Sequence, residues 1–171
     1  MNQTIYIIGQ ALGIVAIGLG FLTYQMKTRE KLVFTQVMVA CCFCLHYLMI
    51  GAVSGLALNI ISVIRNSTYY FLGKKGPVDK KWAILFSVVT GIMGILSWQA
   101  WYSIFAVLGM VIHSYCISFS KPEYIRRSIL VTSPLVLLYD VFVLSIGGMV
   151  YESVAIISSI IGELRNKKVK Q

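Results

Sequence analysis

Seven apolar runs separated by short polar or basic links take up nearly the whole chain, at approximately 5–25, 32–50, 53–72, 82–98, 101–119, 128–146 and 149–164. An apolar helix needs about 20 residues to cross a bilayer, and each run is near that length. Irregular backbone and open sheet edges leave peptide groups unpaired in hydrocarbon, so the runs are expected to be helices. None of them alternates polar and apolar residues with period two, which argues against a barrel. Composition agrees, because 58% hydrophobic and 12% charged residues with a mean hydropathy of +0.81 are too apolar for an ordinary soluble domain. Little chain is left over for a separate soluble catalytic domain.

The basic residues divide cleanly between the links. Lys27, Arg29 and Lys31 follow the first run, Lys74, Lys75, Lys80 and Lys81 the third, Lys121, Arg126 and Arg127 the fifth, and Arg165, Lys167, Lys168 and Lys170 the seventh. The links after the second, fourth and sixth runs carry none, and Arg65 alone lies inside a run. Basic residues in short loops stay cytoplasmic, which predicts seven crossings, an outside N-terminus and a cytoplasmic C-terminus. The net charge of +9 therefore reads as a topology signal and not as a nucleic-acid surface. Trp98, Trp101 and Tyr102 at one outer turn and Trp82 at an inner one fit an interfacial aromatic belt. Met1-Asn2-Gln3-Thr4 has no positive charge ahead of the first run, so no signal peptide is expected.

Sliding the chain on itself by 96 residues without a gap sets runs one to three on runs five to seven. Twelve identities fall between Tyr6 and Ile64, including Leu12-Gly13 on Leu108-Gly109, Ile50-Gly51 on Ile146-Gly147 and Ile60-Ile61-Ser62 on Ile156-Ile157-Ser158. The chain then divides into a first three-helix repeat at 1–73, a linker helix at 74–99 and a second repeat with a basic cytoplasmic tail at 100–171. An odd linker restores orientation, so the repeats are parallel about an axis along the membrane normal, as in some secondary transporters. Leucine-rich helices of equal length can also match by accident.

Polar side chains at membrane depth demand a partner, a cavity or a role. Counting about 1.5 Å per residue from the basic end of each run, Asn59, His46 and Asp140 form an upper layer, with Arg65 and His113 below. A carboxylate as deep as Asp140 has to be paired, hydrated or held protonated, and an acid that gains and loses a proton suits proton-coupled transport. It can equally be glue between helices. Asn59, Ser62 and Asn66 share one helical face, which either lines a cavity or hydrogen-bonds neighbouring helices. Arg65 is within reach of the cytoplasmic surface by snorkelling.

Cys41, Cys42, Cys44 and Cys116 lie inside apolar runs, as small fillers and not a disulfide framework. With His46 the first three offer a metal site only on paper, because a closed site wants four converging ligands. Gly9, Gly13, Gly18 and Gly20 read as close-packing positions. No nucleophile elbow, zinc-binding HExxH or phosphate loop is present, so neither an enzyme nor a cofactor is expected.

Several short stretches resemble one family. Tyr24-Gln25-Met26-Lys27 with Arg29 and Lys31, then His46-Tyr47 with Gly51, then Asn59-Ile60-Ile61 followed by Arg65-Asn66, are similar to the YgjV-type bacterial inner-membrane proteins over essentially the whole chain. The resemblance implies kinship with SWEET and PQ-loop transporters and their three-one-three helix arrangement, with Tyr24-Gln25 in the place of the Pro-Gln pair. Tyr24 stands where that pair has proline, and Pro134 is the sole proline inside a run, which puts proline-hinged bending in doubt. The family's substrate-facing Asn would be Asn59, whose mate at 96 residues is Ala155.

Taken together, the expectation is an all-α, seven-helix, SWEET-like inner-membrane carrier of a small polar solute, a sugar or amino acid. Asn59, Asp140, His46, Asn66 and Ser62 would be its site, with Arg65 and His113 in coupling or structural roles. The competing expectation is a membrane protein that acts through helix or partner contacts.

Overall fold

The structure is a computed structural model that describes residues 3–168, with side chains described over 7–165. Tyr6 and the tail residues Lys167, Lys168 and Lys170 fall outside the described side chains. The described residues form seven helices: α1 (Gln3–Gln25), α2 (Arg29–Ile50), α3 (Val53–Gly73), α4 (Lys80–Leu96), α5 (Ser103–Cys116), α6 (Pro122–Phe142) and α7 (Ile146–Lys168). Three segments, Ile7–Gln25, Arg29–Ile50 and Ile146–Arg165, are long and apolar enough by themselves to cross a membrane.

Three helices depart from the apolar runs, and the seventh, Ile146–Lys168, outruns 149–164 at both ends. The fifth is shorter than 101–119, with 14 residues, or about 21 Å. The sixth starts at Pro122, six residues before the run at 128–146, because proline at a first helical turn has its φ preset and Glu123 there meets the helix's positive end. Hydropathy cannot see that start, since Glu123, Arg126 and Arg127 are charged. It stops early because the chain turns left-handed at Leu144, φ 54°.

The helices close into a ring in the order α1, α2, α3, α5, α6, α7, with α7 packed back on α1 and α4 packed on α3 and α5. The ring is inverted relative to a soluble protein. Ile14, Leu48, Ile64, Ile95 and Leu130 face outward, whereas Gln36, His46, Asn59, Arg65, Asn66, Asp140 and Glu152 are buried. An exterior this apolar is rare among soluble monomers and suits lipid. Trp82, Trp98 and Trp101 are exposed near helix ends, while Tyr102 stacks on Phe142 with ring centroids 5.4 Å apart.

Small residues bring the helices together where lipid supplies no hydrophobic drive between them. A Cβ on Gly13 would lie 2.8 Å from the Gly147 Cα, Gly9 abuts Met49, and Gly20 abuts the Tyr151 ring. Gly18 corrects the glycine reading, because nothing lies within 4 Å of its missing Cβ and it faces outward. Cys41 is likewise exposed and not a packed filler.

The two hairpins α2–α3 and α6–α7 correspond in a different register from the ungapped match. Arg29 and Pro122 open α2 and α6, the left-handed Gly51 and Leu144 follow their ends, and Val53 and Ile146 open α3 and α7. Each pair is 93 residues apart, not 96. In this register Tyr47 packs on Gly55 as Asp140 packs on Gly148.

Candidate functional site

Six helices, all but α4, line a cavity of about 60 Å³. A cavity holds a water from about 10–15 Å³ upward, so this one has room for several. From α2 it is lined by Gln36, Val39, Ala40, Phe43 and Tyr47, and from α6 by Ile129, Thr132, Ser133 and Val136. The four α6 positions lie 93 residues after the first four of α2, whereas Tyr47 has its mate, Asp140, outside the lining. Asn59 of α3 and Glu152 of α7 are also 93 residues apart, and both line the cavity.

The polar residues of α3 divide by what they bond. Asn59 Nδ2 donates to Gly55 O at 2.9 Å and Ser62 Oγ to Leu58 O at 3.0 Å, both back onto their own helix. Arg65 Nε donates to Asn66 Oδ1 at 3.0 Å, and Nη1 donates to Ser114 Oγ. Ser114 in turn lies 2.9 Å from Thr90 Oγ1, so α4 buttresses the site from outside the ring. Arg65 is 1% exposed. It is held sideways within the bundle, which corrects the reading that it snorkels to the surface. Among the described residues the ion pairs are Lys74–Glu30 and Arg127–Glu163, and Arg65 belongs to neither. His113 lines the cavity beside it, with Nδ1 buried and unpartnered.

Other predicted site residues lie behind the lining. His46 Nδ1 is 2.8 Å from Gly9 O and Nε2 is 2.8 Å from Ser145 Oγ. A carbonyl only accepts, so Nδ1 carries a proton and donates to Gly9. His46 thus pins α1, α2 and α7 together. Asp140 is fully buried outside the lining, and its Oδ1 accepts from Tyr47 Oη at 2.7 Å. Tyr47 and Asp140 are themselves 93 residues apart, so they meet where the two hairpins face each other. In the Tyr24-Gln25 pair, Tyr24 lines the cavity and accepts from Gln36 Nε2 at 2.8 Å. Gln25 turns away and donates to Ser158 Oγ at 3.0 Å.

Glu152 is the residue that the sequence reading missed. It lies 12 residues from the end of the seventh run at Leu164, as Asp140 lies 12 from the start of the sixth at Ser128, or about 18 Å for both. The depth count that singled out Asp140 therefore applies equally to Glu152. Among the described residues no group of three His, Cys, Asp or Glu is placed to hold a metal.

Comparison with curated proteins and with solved structures gives no match. A family model described as Imp-YgjV, bacterial inner membrane protein, matches residues 7–170. Because that match runs through all seven helices and every residue lining the cavity, the chain belongs to the Imp-YgjV family of bacterial inner membrane proteins.

Proposed function

We propose that the protein carries a small polar solute, of the sugar or amino acid class, across the bacterial inner membrane without chemical change. The observation behind this reading is the cavity inside the bundle, where Gln36, Asn59, Arg65, Asn66, Thr132 and Glu152 line open space among apolar side chains. Glue alone does not require polar side chains around open space, whereas a solute path does. The chain would cross seven times as two parallel three-helix units, α1–α3 and α5–α7, joined by α4 in a SWEET-like arrangement. Solute would enter and leave as the two units rock against each other. Glu152, the acid on the cavity wall, is the natural candidate for proton coupling.

Uptake by purified protein in liposomes, screened over sugars, amino acids and small organic acids, tests this reading. Ala40 lines the cavity and is 4% exposed. Ala40→Phe is expected to cut uptake at least tenfold while the protein stays folded, and no uptake of any screened solute by the wild type overturns the proposal. The basic end of the bundle is proposed to face the cytoplasm. Reporter fusions after Gln171 and in the link at Gly51 are then expected to report opposite compartments, and a cytoplasmic signal from both overturns that orientation.

A further inference from the structure

We propose that Arg65, Asn66 and His113 form a carboxylate-binding site at the end of the cavity nearer the basic face, so that the solute recognised is a small carboxylate and not a neutral sugar. This rests on the reading of the cavity as a solute site, and narrows it.

Three observations converge. Arg65 lines the cavity at 1% exposure, and its guanidinium is outside both ion pairs of the described residues. The groups it donates to, Asn66 Oδ1 and Ser114 Oγ, are neutral. A cation this buried is costly unless an anion compensates it, and water supplies hydrogen bonds but no charge. Secondly, the neighbouring Asn66 Nδ2 is buried without a partner. An amide nitrogen can only donate, so it awaits an acceptor. Thirdly, His113 Nδ1 is also buried without a partner, and His113 lines the same wall at 7% exposure. Two unsatisfied groups thus stand beside one cation that no ion pair compensates.

A carboxylate resolves all three together. Its two oxygens match the planar donors of a guanidinium, and their remaining lone pairs accept from an amide N–H and an imidazole N–H. A neutral polyol accepts hydrogen bonds here but leaves the charge of Arg65 unanswered. Asn66 Oδ1 already orients Nε of Arg65, so the fork is positioned before a ligand arrives. Glu152, on the opposite hairpin, lines the same cavity and is the acid that would pair with a solute also carrying an ammonium group.

Calorimetry on the full-length protein in a non-ionic detergent tests the site, with sodium acetate titrated against sodium chloride at equal ionic strength and against glycerol. Acetate is expected to bind, with chloride and glycerol at least tenfold weaker. Arg65→Gln is expected to weaken acetate binding at least tenfold, the loss of a charged hydrogen bond. Should that variant fail to fold, His113→Phe keeps the ring shape, removes a group that has no partner at Nδ1, and is expected to weaken acetate several-fold. Absence of acetate binding, equal binding of chloride or glycerol, or wild-type affinity in the substituted protein each overturns the proposal. Acetate binding without liposome uptake of any solute would refute the carrier reading and leave this site standing.

Discussion

Valine at Gly13 is expected to remove at least about 3 kcal/mol of stability, the upper range for overpacking a tight interior. A Cβ at that position lies 2.8 Å from the Cα of Gly147, and the same distance applies in the other direction. The obstacle is backbone, which cannot swing aside as a side chain tip can. Separating α1 from α7 also disturbs His46, whose ring lies within 3.4 Å of either added Cβ and holds Gly9 on one side and Ser145 on the other. Gly18→Val in the same helix is the matched control. Nothing lies within 4 Å of that position, and removing a mid-helix glycine stabilises by a few tenths to about 1 kcal/mol. Thermal unfolding of the purified proteins should show the midpoint of Gly13→Val several degrees below the wild type and that of Gly18→Val at or above it. Equal midpoints for the two variants would mean that the α1–α7 contact does not bear on stability.

That contrast also marks how far sequence reasoning reaches. Helix positions were legible because hydrocarbon forbids the alternatives, and hydropathy located all seven helices. Ends were less so: Pro122 opens α6 among charged residues, where hydropathy is silent. Glycine spacing indicated that α1 packs closely but not which glycines do, since Gly13 and Gly18 differ only in the direction they face around the helix. The helix starts and left-handed turns of the two hairpins pair at 93 residues and not at the 96 of the ungapped match. Identities such as Ile50-Gly51 on Ile146-Gly147 are easily met in an apolar composition, whereas the left-handed turns at Gly51 and Leu144 are geometric and share no residue type. Moving the register by three residues changes the mate of Asn59 from Ala155 to Glu152. An asymmetric site with one polar wall becomes a cavity with an amide on one side and a carboxyl on the other. Depth counting placed Arg65 and His113 low in their helices, but it could not tell which deep groups face open space, because that depends on helix rotation. His46 and Asp140 are as deep as Asn59 yet lie behind the lining.

Glu152→Gln is expected to abolish accumulation driven by a pH gradient in liposomes, bringing it down to equilibrium with the external solute, while exchange of solute down its own gradient persists. Asp140→Asn is expected to spare both. The distinction follows from placement. A coupling proton has to be exchanged with the path that the solute uses; Glu152 lines the cavity proposed as that path, whereas Asp140 lies one hydrogen bond behind it, on the lining residue Tyr47. Asp140 instead accepts from Tyr47 Oη at 2.7 Å, joining α2 to α6, with the backbone of Gly148 against its carboxyl. Asparagine retains an oxygen acceptor at that point, so the Tyr47 bond survives and the thermal midpoint should fall little. Asp140→Leu removes the acceptor and strands a buried tyrosine hydroxyl, which costs about 1–3 kcal/mol, and its midpoint should fall clearly below that of Asp140→Asn. This ordering makes Asp140 a fastener between the two halves and Glu152 the group that reports the proton. If Asn at 140 eliminates pH-driven accumulation and Gln at 152 leaves it intact, the assignment is reversed. Protons would then have to reach Asp140 past Tyr47, and the hydrogen bond between them would have to open in each transport cycle.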